Sequence, residues 1–346
     1  MGADRRLFRP DDTRSTYDAV AARYADEIAG ELADKPFDRE FLDRFADRVR
    51  GRGRVVELGC GPAHVAAYLA GRGIDVSGLD LSPRMAAEAM RLFSTLDVIV
   101  GDMLDLPHDD RSLVGAVAFY SIIHFDDEQL RRAFAEMARV LRPGGLVGLA
   151  FHVGNEVVHR DEWWGKPVKL DARFLPTEHV TALLDSAGLR IESSVERDPY
   201  APEVEYQSRR AYIVARKLPP FELGYARTDL RRELVEAVLR GDKTATAGLA
   251  TDHVPHTDEP VPMPGDCWLM LGYDDEPLAV VKTTEVRLVP AGEIDLQFAR
   301  DEGEGFETVA EWRAAHERFW SDQEITDETL IVAERFRLVQ RIASNS

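Results

Sequence analysis

Val55-Val56-Glu57-Leu58-Gly59-Cys60-Gly61-Pro62-Ala63-His64 decides the fold of the first two-thirds of the chain. Residues 55–58 read as a short buried strand, and Val65, Ala66, Leu69 and Ala70 then recur at helical spacing. A glycine-rich turn between a strand and a helix aims backbone N–H groups at a ligand. Glycine is needed where the backbone turns tightly or a ligand comes close. Gly59 and Gly61 fill that need, while Ala63 stands where a dinucleotide loop carries its third glycine. Glu57 puts an acid at the strand end, suited to the ammonium group of an amino acid. Cys60 reads as a small packing residue of the loop rather than a nucleophile.

Outward from this loop the pattern alternates between strands and helices. Strands are expected at 74–79, 98–100, 113–119 and 146–151, and helices at 85–93 and 128–141. Pro143-Gly144-Gly145 turns the chain into the strand at 146. A helix at 178–186 and strands at 189–195 and 211–215 complete a doubly wound, mostly parallel α/β sheet. Upstream, Tyr17, Val20, Ala21, Tyr24 and Ile28 mark one helix, and Phe41, Leu42, Phe45 and Val49 another. Residues 1–14 are expected to form a flexible lead.

Lys217-Leu218-Pro219-Pro220 reads as a linker between domains at 1–218 and 219–346. The second domain is expected to be small and mixed α+β. It has a helix at 229–240 stopped by Gly241, strands at 267–271 and 278–286, a helix at 309–320 and a strand at 330–338.

Composition narrows the functions. The 346 residues carry a net charge of −19. From Pro219 onward, 13 Lys and Arg face 26 Asp and Glu, so the acid excess sits mainly in the last third. Phosphate neutralisation dominates nucleic-acid affinity, so duplex nucleic acid is not an expected partner and small molecules are favoured. No apolar run reaches membrane-spanning length, and no membrane partner is expected. The opening Met1-Gly2-Ala3-Asp4-Arg5-Arg6 lacks a signal-peptide core, and Arg6 stands where a myristoylation signal carries Ser or Thr. Cys60 and Cys267 fall in different domains and suggest neither a disulfide nor a zinc site, so a reducing cytosol is the expected home.

Further candidates follow the strands. Asp80, with Leu81 beside it, ends the second strand about 20 residues after the loop, where such folds bond a ribose. Asp102 can accept from an exocyclic amine, and the Met103 thioether can pack on a purine ring. Tyr120 ends the fourth strand. Tyr17 and Tyr24 are candidates to cap a ligand, with core packing as the equal alternative. His124 is a candidate base at the mouth of the sheet, against a packed or solvated histidine. His152, His159, Trp163 and Trp164 are candidates for an acceptor pocket. Asp252, His253 and His256 suggest a metal only faintly, and no metal is expected.

These features together resemble the class I S-adenosylmethionine-dependent methyltransferases, over roughly residues 17–215. Glu57-Leu58-Gly59-Cys60-Gly61, the run through Asp80, Gly101-Asp102-Met103 and Leu141-Arg142-Pro143-Gly144-Gly145 fall in family order. The resemblance implies a Rossmann-like sheet and S-adenosyl-L-methionine as cofactor. It places Glu57, Gly59 and Gly61 near the methionine moiety, Asp80 on the ribose, and Asp102 with Met103 at adenine. Cys60, Leu81, Tyr17, Tyr24 and Tyr120 complete the expected cofactor-binding set. The acceptor is expected to be a small molecule. After the fourth strand the chain reads Ala118-Phe119-Tyr120-Ser121, without the Asn/Asp-Pro-Pro-aromatic motif of nucleic-acid amino-nitrogen methylases.

In the second domain, Gly241-Asp242-Lys243-Thr244-Ala245-Thr246 follows a helix, and Glu302-Gly303-Glu304-Gly305 comes far downstream, before Trp312 and His316. Lysine, threonine and glutamate make a workable hydrolytic set: base, nucleophile and proton shuttle. Lys243 in a surface ion pair and Glu302 as a helix cap are the plain alternative. The region resembles the ASCH domains, with a PUA-like β-barrel, from about 221 to 338. Some members are amidohydrolases acting on N4-acetylcytidine, whose catalytic Lys, Thr and Glu match Lys243, Thr246 and Glu302. Others are RNA-binding modules, so a modified nucleoside or an RNA is the implied partner.

Overall fold

Apolar strands buried along their whole length need cover on both faces, and the first part of this chain supplies it with helices. The computed structural model describes residues 8–253 and 261–342. Residues 1–7, half of the expected lead, and His256 lie outside the described residues. The chain folds as two units, Met1–Lys217 and Leu218–Ser346.

The first unit runs α1 (Pro10–Ile28), α2 (Pro36–Val49), β1 (Val55–Leu58), α3 (His64–Ala70), β2 (Val76–Asp80), α4 (Pro83–Leu92), β3 (Asp97–Val100) and β4 (Leu113–Phe119). It continues with α5 (Asp127–Val140), β5 (Leu141–His152), β6 (Val157–Trp163), β7 (Lys166–Arg173), α6 (Thr177–Ser186), β8 (Leu189–Arg197) and β9 (Arg210–Lys217). Seven strands form one sheet in the order β3-β2-β1-β4-β5-β9-β8. β1, β2, β3, β4 and β5 pair in parallel, while β9 is antiparallel to both β5 and β8. The β8–β9 connection has no crossover helix, so it returns the chain antiparallel. One apolar cluster packs α5 and α6 on the sheet through Leu130, Phe134, Met137 and Leu184. Another packs α2 and α3 through Leu42, Phe45, Val65 and Leu69.

The chain order reverses between β1 and β4. Ligands of doubly wound sheets bind beyond the strand ends at such a reversal.

Two sequence expectations need correction here. Helix α1 begins at Pro10, so residues 10–14 are helical rather than a loose lead. Pro10 at the first helical position, with Asp11 and Asp12 in the first turn, is a helix-start pattern. The β6–β7 hairpin stands between β5 and α6, where the sequence pattern shows no strands. Trp164 (φ +51°) and Gly165 (φ +74°) form its two-residue left-handed turn, the geometry that joins twisted antiparallel strands.

The second unit runs β10 (Pro220–Phe221), α7 (Asp229–Arg240), β11 (Ala245–Leu249), β12 (Cys267–Leu271), β13 (Pro277–Pro290), α8 (Leu296–Asp301), α9 (Val309–Phe319) and β14 (Leu330–Arg341). Its five strands order as β10-β12-β13-β14-β11, with β10–β12 parallel and the rest antiparallel. β13 and β14 are long and irregular in register, which bends the sheet into the half-barrel expected of a PUA-like domain. Phe298, Trp312 and Trp320 fill one apolar cluster, and Val235, Val238, Met270 and Phe336 another.

Candidate functional site

A cavity opens where β1 and β4 diverge. It encloses about 760 Å³, part of it open to solvent. Tyr17 and Tyr24 from α1 line it, with Gly59 and Gly61 after β1, and Asp80 and Leu81 at the end of β2. Asp102 and Met103 follow β3, and Tyr120 and His124 follow β4. Ten of the residues singled out in the sequence therefore meet in one space.

The loop geometry explains its glycines. Gly59 has φ +66°, and a Cβ there would overlap the Cβ of Ser121. Gly61 has φ +51°, a left-handed conformation that favours glycine, and a Cβ there would meet the Tyr24 ring at an ordinary contact distance of 3.6 Å. The strand ends are cradled so closely that any side chain at 59 displaces the opposite wall. Asp80 is fixed by two backbone donors: Gly61 N–H to Oδ2 at 2.7 Å and Ser82 N–H to Oδ1 at 2.8 Å. Burial pushes its carboxyl up to about 6, against those two hydrogen bonds. Asp102 Oδ1 accepts from Leu104 N–H at 2.8 Å. Tyr120 holds φ +56°, a left-handed conformation costly for an aromatic residue and concentrated at ligand sites.

Glu57 and Cys60 do not line the cavity. Glu57 is buried, and its Oε2 accepts from Ala66 N–H at 2.7 Å. It caps the start of α3, where the N-cap residue Ala63 has no side-chain oxygen to offer. Burial raises its carboxyl to about 7, against His64 and the Ala66 N–H. Cys60 is buried against Gly78, where a Cβ would lie 2.8 Å from its Sγ.

His124 and Tyr17 are 107 positions apart and share a hydrogen bond of 2.8 Å, Tyr17 Oη to His124 Nε2. His124 Nδ1 lies 2.8 Å from the Asp171 carbonyl, which only accepts. The ring proton is therefore on Nδ1, and Nε2 accepts from the Tyr17 hydroxyl. Burial lowers the His124 pKa, so the ring is neutral. Burial raises Tyr17 well above the usual phenol range, with Asp80 adding to it. Thr16 fastens α1 to β7 through hydrogen bonds with Lys169 O at 3.0 Å and Lys169 N at 3.1 Å.

The four acceptor-pocket candidates stand behind the wall. Trp163 packs edge-on against Tyr17 and Tyr24, and stacks on Trp164. His152 packs between Tyr120 and Phe174, and burial with Arg210 and Lys35 nearby drives it down to about 3. His159 pairs with Asp171 and Asp161. Ser121, Phe119 and Phe125 also line the cavity, as do Pro10 and Thr13, and sequence reasoning misses all five. The helix-start pattern at Pro10 is the available signal for the last two.

In the second unit, Lys243 is 2% exposed and Glu302 1%. Lys243 Nζ donates to the Glu302 carbonyl and to Glu304 Oε1, both at 3.0 Å. Glu302 Oε2 accepts from Trp312 Nε1 at 2.8 Å and lies 3.3 Å from His316 Nε2, while Oε1 is buried without a partner. Burial raises the Glu302 carboxyl to about 8, with Lys243 opposing. Thr246 pairs in register with Glu334 on β14, while its neighbours Ala245 and Ala247 face the apolar cluster around Trp312. Strand alternation thus points Thr246 to the other face. Among the described residues, no hydrogen bond joins it to Lys243 or Glu302. Glu334 is itself buried, receives Thr283 Oγ1 at 2.5 Å, and is raised by burial to about 7. No group of three or more His, Cys, Asp or Glu among the described residues is placed to hold a metal ion. No helix among them is long and apolar enough to cross a membrane.

A methyltransferase-domain family profile matches residues 55–145, and an ASCH-domain profile matches residues 223–340. An uncharacterized methyltransferase of Mycobacterium bovis is 36% identical over 103 residues, 30% of this chain and 41% of that protein. A malonyl-[acyl-carrier protein] O-methyltransferase of Salmonella typhimurium is 31% identical over 128 residues, 36% of this chain and 50% of that protein. The chain thus spans half or less of the length of these curated relatives. Among solved structures, the DhpI–SAH complex superimposes with a TM-score of 0.49 at 22% identity, covering 61% of this chain and 97% of that one.

Proposed function

Starting from a chain that joins a methyltransferase domain to an ASCH domain, we propose that the cavity over β1, β2, β3 and β4 binds S-adenosylmethionine for methyl transfer to a small molecule. The observation that carries this reading is the cradle at Gly59, which a Cβ would fill, with the left-handed Gly61 after it, set beside the carboxylates of Asp80 and Asp102. Gly59 and Gly61 leave room for the methionine part, Asp80 accepts from the ribose hydroxyls, and Asp102 with Met103 holds the adenine edge. Leu81, Tyr17, Tyr24 and Tyr120 close the walls. Glu57 and Cys60 support the loop from behind. When bound, S-adenosylmethionine supplies a methyl group already activated on a sulfonium, so the protein mainly positions and desolvates. His124, neutral with Nε2 unprotonated, is the base. Calorimetry with S-adenosylmethionine tests the reading. No binding, or binding unchanged after Asp80→Ala and Gly59→Val, ends it.

For the ASCH domain we propose hydrolysis of an acylated nucleoside such as N4-acetylcytidine, with Lys243, Thr246 and Glu302 as the catalytic set. The adjacency of Lys243 to the 302–304 segment and the unpartnered Glu302 Oε1 support it. A second reading, a non-catalytic module binding RNA or a nucleotide, is favoured by the burial of Lys243 and Glu302 and by Thr246 facing away. Loss of the acetyl group from N4-acetylcytidine in wild type but not in Lys243→Ala supports the first. A salt-sensitive RNA complex without hydrolysis supports the second.

A further inference from the structure

Within the cavity, Tyr17 is half-buried and His124 lies beneath it, 7% exposed. Their 2.8 Å contact makes a line from the cavity to Nε2 through the Tyr17 hydroxyl. The far end of the line is closed, because Nδ1–H is committed to the Asp171 carbonyl. A proton entering this line therefore has one resting place, Nε2.

The walls add a second constraint. Among the described lining residues there is no Lys or Arg; the charged side chains are Asp80 and Asp102. Arg160 stands over the Trp163 ring at 5.5 Å instead. An anionic acceptor entering here meets two carboxylates and no counter-charge among the lining residues, with Arg160 acting on Tyr17 from outside the lining, so its desolvation is costly. The remaining wall is aromatic: Tyr17, Tyr24, Phe119, Tyr120 and Phe125. Such a wall fits a planar apolar body.

We propose that the acceptor is an aromatic hydroxyl compound carrying no negative charge, and that Tyr17 relays its proton to His124. The acceptor O–H donates to Tyr17 Oη as the Tyr17 proton passes to His124 Nε2. The oxygen left behind holds the electron pair, the imidazole becomes imidazolium, and Tyr17 ends as it began, a neutral phenol. Tyr17 is thus a catalytic residue, because it touches the reacting hydroxyl. The proposal rests on the methyl-transfer reading of this cavity.

The test uses the full chain and two probes of similar size: 4-nitrophenol and 4-nitrobenzoate. Binding is measured with and without S-adenosylhomocysteine, and the imidazole nitrogens of His124 are followed by nitrogen NMR. The expected result is binding of un-ionised 4-nitrophenol in preference to 4-nitrobenzoate, weakened about fivefold in Tyr17→Phe, the loss of one hydrogen bond. His124 is expected to show a protonated Nδ1 and a bare Nε2, and the Nε2 resonance moves in Tyr17→Phe. Equal or tighter binding of 4-nitrobenzoate overturns the acceptor class. A protonated Nε2, or 4-nitrophenol affinity unchanged in Tyr17→Phe, overturns the relay. Failure of S-adenosylhomocysteine itself to bind counts against the methyl-transfer reading instead, so the two failures are distinct.

Discussion

Gly59 and Ser121 face each other across the gap between β1 and β4 so closely that a Cβ at position 59 would overlap the Ser121 Cβ. Gly59→Ala must also hold φ +66°. A loss of about 1–3 kcal/mol is expected, as for strained left-handed positions, together with loss of S-adenosylmethionine binding by calorimetry. Ser121→Gly removes the opposing Cβ, although it also loses the Ser121 hydroxyl bond to Leu58 O. In the double variant, stability by denaturant melt is expected to recover part of the loss. Simple addition of the two penalties would show that the clash is not the cause.

Glu57 reports on pH. Its carboxyl is raised by burial to about 7, from the ordinary 4.5. The folded state therefore binds this proton more tightly than the unfolded state. The stabilisation is fully present below pH 4.5 and is lost as pH rises through 7. Glu57→Gln keeps an oxygen for the Ala66 N–H without the charge, and is expected to flatten the decline in melting temperature between about pH 5 and 8. Glu57→Ala leaves that N–H without a partner and is expected to cost about 1–2 kcal/mol below pH 4.5, and less as pH rises through 7.

Glu31 and His64 form a pair whose charge is held from both sides. Burial opposes charging the His64 ring, but the Glu31 hydrogen bond at 3.0 Å, the Glu31 charge and the Glu57 charge together outweigh it and raise its pKa. His64 thus contributes stability below its ordinary pKa, and loses it as pH rises through the raised one. In Glu31→Gln burial is left unopposed by that carboxylate, so the ring's NMR titration midpoint is expected to fall. A midpoint that stays high would mean that another group holds the charge. Lys35, paired with Glu31 at 2.5 Å and buried, loses its partner too, so destabilisation on the order of 3 kcal/mol is expected.

Gly303 offers a test confined to the second unit. It has φ +68°, and a Cβ there would sit 2.7 Å from the Asp242 carbonyl oxygen. Gly303→Ala is expected to push the 301–304 segment off Thr244, whose N–H donates to Asp301 O at 2.7 Å, and to cost about 1–3 kcal/mol. Circular dichroism melts should show the loss. Unchanged stability would mean that this segment yields freely.

Much of this is legible in the sequence because local pattern and long-range packing agree where strands are apolar and helices are capped. β1, α7 and β12 run over the residues their patterns indicate. β11 is not legible because Ala245-Thr246-Ala247-Gly248-Leu249 lacks bulky β-branched residues, and its pairing with β14 supplies the order. The β6–β7 hairpin is hidden because His159, Arg160, Asp161 and Glu162 mask any apolar alternation. At the site, residues tied to a strand end are readable from spacing. The Tyr17–His124 bond is not, since nothing local links a helix residue to one 107 positions later. Glu57 carries the right chemistry but meets a different neighbour, because α3 begins at a residue with no capping oxygen.

The β6–β7 hairpin is joined to the large sheet through the connection from β5 to α6, and none of its own strands pairs into that sheet. Yet it supplies the Asp171 carbonyl that sets the His124 tautomer and the Lys169 contacts that fasten α1. It behaves as a cassette: one contiguous stretch, Val157 to Arg173, that can be exchanged as a piece. Grafting other hairpins between β5 and α6 would retune the chemistry at the mouth of the cavity while the sheet beneath it stays as it is.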